Sequence, residues 1–547
     1  SSAALTAVYV GIAALGWQWI TAGTTTADTL LRSLIASAAA LTSLSALPIA
    51  AKWLVIGRWR AQTISIWSLA YFRFWLVRLL IETSPPALFR ASPVFNLYLR
   101  LLGTRIGDEA VLNTKNVPIC TDTIRIGARA VLRKQTMLQG FRAEGGRIHV
   151  GEIDIGEDAI VGEGSVIDID TRVGHRGQLG HASSLHAGQT IPDDGRYHGS
   201  PAVPTETDFG QLPSGTTSRL RKLGYGCAQA GIAVATTSLP VAFAAMLAVG
   251  ATDESASAVA FNLGSVGTAV GIALAAALAL LASGYALAAA VNIFGTRLLS
   301  RLFLPGRAYP LYGFHYFAAQ SLAWASNAPA FHVAFGDSSM ITTYLRWLGY
   351  RQPGLQQTGS NFGTSTLHDS PTHCEIGSGV MVSDGLSMIN FEHSNASFRV
   401  AETRIGTGSF VGNNVVYPAA ATTGANCLFA SKVQIPIDGP VREGVGLLGS
   451  PSFEIPRRVA TGESFDPVPK SAAGRAQLTA KDHYNRRTLA IYLAQQWLLL
   501  ASLVLIGWLA ASMYATHGWP TAIAVSLALP TFVATYFVAF EWLSLGG

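Results

Sequence analysis

Two residues able to do acid–base chemistry, Asp168 and His186, stand eighteen residues apart, each directly after an aliphatic residue. A carboxylate beside an imidazole orients the ring and stabilises its protonated form, as a general base requires. Asp170, His175, His181 and His198 lie nearby in the sequence. None of these histidines has the spacing of common zinc motifs, so no metal is expected. A second polar group follows much later: His368, Asp369, His373, Asp384, Asn390, Glu392 and His393. Its acidic members suit a cationic substrate. For both groups a plain reading, polar corners and loops with structural hydrogen bonds, stands beside a functional one. In the functional reading His186, His181 and Asp168 are catalytic. Asp170, His198, Asp384, Asn390, Glu392 and His393 then contact substrate.

The frame that must position these residues has a period of six. Ile155, Val161, Ile167, Val173, Leu179, Leu185 and Ile191 are evenly spaced, and Gly follows four of them. Neither a helix nor a flat strand asks for that period, whereas a hexapeptide-repeat parallel β-helix does. Three hexads make one coil of about 18 residues, so Asp168 and His186 should stack at one corner of neighbouring coils, ~4.8 Å apart. His181 sits two residues after a core position and is expected to face outward. The pattern returns at an offset of 250, with Ile405, Val411, Tyr417, Thr423, Phe429, Ile435 and Val441 in the core positions. Pro418 and Pro436 take the places of Asp168 and His186. Late-coil residues of the first β-helix, His186 among them, are expected to face early-coil residues of the second, such as His393.

Half of the 547 residues are hydrophobic, 13% are charged, and mean hydropathy is +0.34. That balance marks a membrane protein with soluble parts. The net charge of +6 is read as loop charge beside membrane spans, and no nucleic-acid motif accompanies it. The first apolar segment has no basic stretch before it and is read as a span, not a signal peptide. The expected organisation is a transmembrane pair at 1–58, interfacial amphipathic helices at 59–103 and a β-helix at 104–210. A second pair at 219–296, interfacial helices at 297–354 and a second β-helix at 355–458 repeat the unit. A linker at 459–485 leads to a third pair at 486–547. Gly264, Gly267 and Gly271 suit close helix packing in the second pair. Basic clusters lie on the β-helix side of each pair, which predicts a plasma-membrane protein with both β-helices cytoplasmic. The fold class expected is thus about six α-helical spans alternating with two left-handed parallel β-helices of the hexapeptide-repeat, acyltransferase-like kind. Cys120, Cys227, Cys374 and Cys427 show no metal-binding spacing and are read as buried reduced thiols.

No Walker A loop, GxSxG elbow, HHxxxD motif or dinucleotide fingerprint is present. Three phrases together resemble the C-terminal membrane region of the ε-poly-L-lysine synthetase family, membrane-embedded nonribosomal peptide synthetases that make homopolymers of basic amino acids. They are Trp67 to Trp75 (WSLAYFRFW), Leu179 to His186 (LGHASSLH) with His198-Gly-Ser-Pro-Ala, and Met381 to Asn390 (MVSDGLSMIN). The resemblance covers nearly the whole chain. It implies amide formation between an aminoacyl thioester on a carrier phosphopantetheine arm and the amine of a basic amino acid or growing polymer, with His186 or His181 as base. It also implies upstream adenylation and carrier domains as partners, membrane lipid around the spans, and an oligomer or a further β-helix domain. The family's front end and third soluble domain have no counterpart here, so a fragment is expected. Two other classes remain open: a membrane acyltransferase using acyl-CoA, and a non-catalytic scaffold or exporter for the polymer.

Overall fold

The computed structural model describes residues 2–85, 89–114, 116–250, 266–335, 338, 340–352, 357–358, 362–456 and 472–545. The chain divides into two compact units. One gathers Ser1–Leu41, Ala230–Leu287 and His483–Gly547; the other holds Thr42–Gln229 and Ala288–Asp482.

The first unit is helical. Among the described residues five helices are long and apolar enough to cross a membrane: Thr26–Ile56, Arg219–Met246, Gly267–Ser300, Ala480–Ala510 and Ile523–Leu543. The expected first span falls in the helix Ser2–Thr21, and the side chains of residues 2–10 and 12 lie outside the described ones, as do residues 258–265 and 459–471. Polar ties join the helices of this unit. Trp497 Nε1 donates to the Leu274 carbonyl (2.8 Å) and Tyr536 OH to that of Gln495 (2.7 Å). Gly264 is not described, and Gly271 has open space where a Cβ would stand, so close packing at that glycine is not observed.

The second unit contains both β-helices. In the first, Val161 pairs with Leu179, Ile167 with Leu185 and Val173 with Ile191, all in parallel. The seven aliphatics of the hexad run are each at most 1% exposed, which is why the period holds. A Cβ at Gly162 would collide with the backbone of His181 one coil away, so the corner needs glycine. The second β-helix repeats the three faces. Its two unusual core residues satisfy each other: Tyr417 OH lies 3.1 Å from Thr423 Oγ1, both buried. The period ends sooner than the sequence suggests, because Val441 is 58% exposed.

Each β-helix also carries a hairpin that interrupts its coils. Phe141–Glu144 and Arg147–Val150 form the first, and Gln62–Ser65 adds to it antiparallel. Phe391–His393 and Ser397–Val400 form the second, joined by Ala308–Pro310. The aromatic segment after each added strand becomes a helix, Leu69–Glu82 and Phe314–Ser326. The first buries Phe74, Val77, Leu80 and Ile81 and exposes Leu69 and Phe72, with Trp67 just ahead of it 92% exposed. Cys120, Cys374 and Cys427 are buried thiols as expected, whereas Cys227 is exposed.

Candidate functional site

The two β-helices lie side by side along a seam, and two ladders of residues build it. Leu112, Leu132, Val161, Leu179 and Tyr197 are consecutive partners on one face of the first β-helix. The residues two positions after them, Thr114, Lys134, Glu163, His181 and Gly199, therefore climb one corner coil by coil, ~4.8 Å per step. On the second β-helix the facing corner follows a different face and carries Asp369, Pro418, Ala419 and Ile437.

Charged groups cross the seam while almost fully buried. Arg133 lies 3.5 Å from Glu163 and 3.3 Å from Glu392 of the second β-helix, with side chains 8%, 2% and 6% exposed. Arg133 Nη2 also donates to the Phe209 carbonyl (2.8 Å). Arg399 holds the other oxygen of Glu392 at 2.7 Å and donates to Gln211. Two guanidiniums thus balance two carboxylates, the arrangement in which buried charge is tolerable. Burial pushes the Glu163 carboxyl above its ordinary value, and Arg133 opposes that rise.

His181 is buried in the same seam, not turned outward. Its Nε2–H donates to the Ile435 carbonyl (2.8 Å), its own carbonyl accepts from Gln434 (3.0 Å), and its ring meets Phe209 edge-on. A carbonyl can only accept, so the tautomer is fixed with Nδ1 as a free lone pair. Burial draws the imidazole down to about 4, so the ring is neutral at physiological pH. Glu163, His181, Glu392 and Arg133 border one small cavity together with Phe209 and Pro418.

One coil-width toward the start of both β-helices the seam opens into a cavity of about 420 Å³. Lys134 reaches Asp369 there (2.5 Å). His393 is buried close by. Its Nδ1–H donates to the Phe391 carbonyl (3.2 Å), so Nε2 accepts from Asn113 Nδ2 (3.4 Å). Burial, with Lys134 and Arg133 adding to it, holds His393 well below its ordinary value.

The remaining expected residues are placed as follows. Asp168 and His186 do stack, with the Asp168 amide donating to the Leu185 carbonyl. Their side chains form no hydrogen bond, however. Asp168 accepts from the Ile169 amide and faces Arg142 at 3.8 Å, while the exposed His186 ring lies 3.5 Å from Ser200 Oγ. Asp170 turns a corner with φ of 55° and accepts from the Glu152 amide. Asn390, fully buried, reads both the amide and the carbonyl of Ser370, a coil-closing role. The amide of Asp384 donates to Asn413 Oδ1 on the next coil. His198 is half-buried beside Phe209, and burial lowers its pKa.

The seam pairs like with like. Early Lys134 meets early Asp369, and late His181 meets late Ile435. The expected meeting of His186 with His393 does not occur, because the two β-helices run in parallel with their coils level. Sequence reasoning missed Arg133, Lys134, Glu163, Asn113, Arg399 and Phe209. The signal for Glu163 was present: it lies eighteen residues before His181.

No protein-family model matches the chain. The chain is 24% identical over 457 residues to the δ-poly-L-ornithine synthetase of Acinetobacter baumannii, covering 81% of this chain and 32% of that protein. It is related to a poly-basic-amino-acid synthetase and spans about a third of that relative's length. Among solved structures, a hexapeptide-repeat acetyltransferase of Vibrio cholerae is 17% identical, with a TM-score of 0.20 over 25% of this chain and 89% of that one. A serine acetyltransferase of Neisseria gonorrhoeae is 15% identical, with a TM-score of 0.13 over 37% of this chain and 80% of that one.

Proposed function

We propose that this chain is the membrane-embedded transferase region of a synthetase that joins basic amino acids into a homopolymer. The observation that carries the reading is the likeness to δ-poly-L-ornithine synthetase, which extends over four-fifths of the chain. Lysine and ornithine are both candidate monomers. The substrate would be an aminoacyl thioester on the phosphopantetheine arm of a carrier domain, with acyl-CoA as the competing donor.

The seam supports the chemistry. A side-chain ammonium of ordinary pKa is deprotonated in only about one molecule in 2,500 at pH 7. Attack of the free amine on the thioester carbonyl forms the C–N bond and leaves a protonated nitrogen. A base must then take that proton before the C–S bond breaks, and an acid must return one to the departing thiolate. His181 is suited to both steps because it is neutral before attack and lines the seam cavity together with Glu163 and Glu392. Burial and the charge of Arg133 oppose protonation of the His181 ring, and the Ile435 carbonyl and Asp438 favour it. His186, exposed and unoriented, is the less well-positioned candidate in this reading.

The basic clusters beside the spans favour a cytoplasmic site at the plasma membrane. The exposed Trp67, Leu69 and Phe72 favour a helix resting on the lipid headgroups. The test supplies the purified chain with lysyl- or ornithyl-pantetheine and the free amino acid, and reads amide product by mass spectrometry. Turnover should fall by about 10²-fold or more in His181→Ala and little in His186→Ala. Turnover with acetyl-CoA alone, or indifference to His181→Ala, overturns the reading.

A further inference from the structure

One face of the first β-helix, built from Arg105–Ile106, Ile124–Ile126, Ile153–Ile155 and Thr171–Val173, carries none of the seam residues. Its outward side chains form a ladder in which Arg105, Arg125, Asp154 and Arg172 are consecutive parallel partners. The three arginines are exposed. Arg105 and Arg125 stand side by side, their strands ~4.8 Å apart, and like charges directly opposite on neighbouring strands are destabilising. Among the described residues Arg105 and Arg172 have no carboxylate within 4 Å, and Arg125 reaches only Glu152, at 3.8 Å. The second β-helix supplies the comparison. Its equivalent ladder reads Arg351, Glu375, Arg404 and Thr422, with Glu375 standing where the first has Arg125. There the signs alternate and each arginine is matched: Arg404 by Glu375 at 3.2 Å and Arg351 by Glu402 at 2.8 Å. The frame is shared, so the uncompensated arginine pair belongs to the first β-helix alone.

The pair lies next to an apolar surface. Arg105 is in the first coil, just beyond the helix Pro93–Leu102, which exposes Leu97, Arg100 and Leu101 along one side. Arg100 donates to the Ile106 carbonyl and so fixes that helix against the coil. Trp53 Nε1 donates to the Leu101 carbonyl (2.8 Å), which ties the same helix to the end of Thr26–Ile56, a helix long and apolar enough to cross a membrane; Trp53 and Leu54 are exposed there. Arg100, Arg105, Arg125 and Arg172 border one groove of about 590 Å³, against two carboxylates, Asp154 and Glu157. We propose that this groove binds the phosphate of an anionic membrane lipid between Arg105 and Arg125, with the acyl chains toward Leu97, Leu101 and Trp53. The inference is independent of the transferase reading. Guanidinium forks match phosphate oxygens, and one bridging phosphate would neutralise both arginines. A lipid is favoured over a soluble anion because the unmatched cations begin at the end of the coil that adjoins the exposed leucines and the tryptophan. Basic residues at that level are attracted to an anionic leaflet, and a bound lipid would hold the first coil at the headgroups.

Binding is measured on the full chain in neutral detergent micelles, into which phosphatidylglycerol or phosphatidylcholine is titrated. Bound lipid is counted by native mass spectrometry, and the melting point is read in parallel. Phosphatidylglycerol should be retained and should raise the melting point, with phosphatidylcholine at least tenfold weaker. Arg105→Gln and Arg125→Gln should each weaken phosphatidylglycerol binding by about tenfold or more, the loss expected for a hydrogen bond to a charged group. Arg404→Gln, on the equivalent face of the second β-helix, should leave it unchanged. In phosphatidylcholine alone Arg105→Gln should melt no lower than the unaltered chain, because the substitution relieves a like-charge contact. Equal retention of the two lipids, an equal loss in Arg404→Gln, or a lower melting point of Arg105→Gln in phosphatidylcholine overturns the assignment. Equal stabilisation by inorganic phosphate would make the groove a soluble-anion site, and displacement of phosphatidylglycerol by polyglutamate at lower concentration would make it a protein-docking face; either result also overturns the lipid.

Discussion

Replacing Arg133 by Met tests whether the seam is held by balanced buried charge. The substitution keeps most of the stem and removes the cation that lies 3.5 Å from Glu163 and 3.3 Å from Glu392. Glu392 retains Arg399 at 2.7 Å, so most of the damage falls on Glu163, whose side chain is 2% exposed. Breaking a buried pair by removing one partner costs about 3–5 kcal/mol. The pH dependence has a definite sign. The Glu163 carboxyl is already raised by burial, and loss of Arg133 raises it further. A carboxyl with a raised folded-state pKa favours the folded protein when protonated, and this contribution is lost as pH rises through that pKa. The variant should therefore lose more stability at pH 8 than at pH 5. Thermal unfolding of the solubilised chain at both pH values reads the effect. The double variant Arg133→Met, Glu163→Gln should recover most of the loss, because it removes the stranded charge. A cost under about 1 kcal/mol, a loss equal at both pH values, or no recovery in the double variant would refute the reasoning.

Acid should destabilise the β-helix pair through its buried histidines. His181 is held at about 4 and His368 at about 3, so each contributes stability above pH 6.5 that is lost as pH falls toward those values. For His181 the drop from 6.5 corresponds to roughly 3 kcal/mol at most, and His181→Gln should flatten the unfolding profile between pH 6.5 and 4. Thr423→Val should cost about 1–3 kcal/mol by stranding the Tyr417 hydroxyl, while Thr423→Val with Tyr417→Phe should be nearly neutral in the same melting assay.

The fold was readable because its cause is local and repeated: an aliphatic every sixth residue fills a narrow triangular core, and Ile155 through Ile191 are buried without exception. The site was less readable for two physical reasons. The corner ladder is regular only between uninterrupted coils. Glu163 and His181 are eighteen residues apart, but Lys134 and Glu163 are twenty-nine apart, because the hairpin Phe141–Val150 lies between them. Once the hairpin is allowed for, the three fall on one line. The second reason is that burial of His181 depends on Ile435, 254 residues away. Neither a period nor a motif contains that contact. His181 stands two residues after a core aliphatic, where an isolated β-helix would expose it, and only the neighbouring β-helix turns that surface position into an interior one.

That dependence also changes the meaning of the prolines at 418 and 436. By the repeat they are the counterparts of Asp168 and His186, and their presence suggested that the second β-helix had lost a site. In the structure the seam brings together unlike corners. The first β-helix contributes the corner that carries Lys134, Glu163 and His181, and the second contributes the one that carries Asp369, Pro418 and Ile437. An interface that uses one corner of each triangular coil leaves the other two corners of each β-helix outside it. Pro418 borders the same seam cavity as Arg133 and His181, where a residue without an N–H adds no unpaired donor. Asp168 and His186 occupy a corner of the first β-helix outside the seam, which is why they are more exposed and why their side chains are not drawn into one hydrogen bond. Residues that are equivalent by repeat are therefore unequal by environment: His181, at a corner covered by the neighbouring β-helix, is buried with its tautomer fixed, while His186, at a corner left uncovered, is exposed.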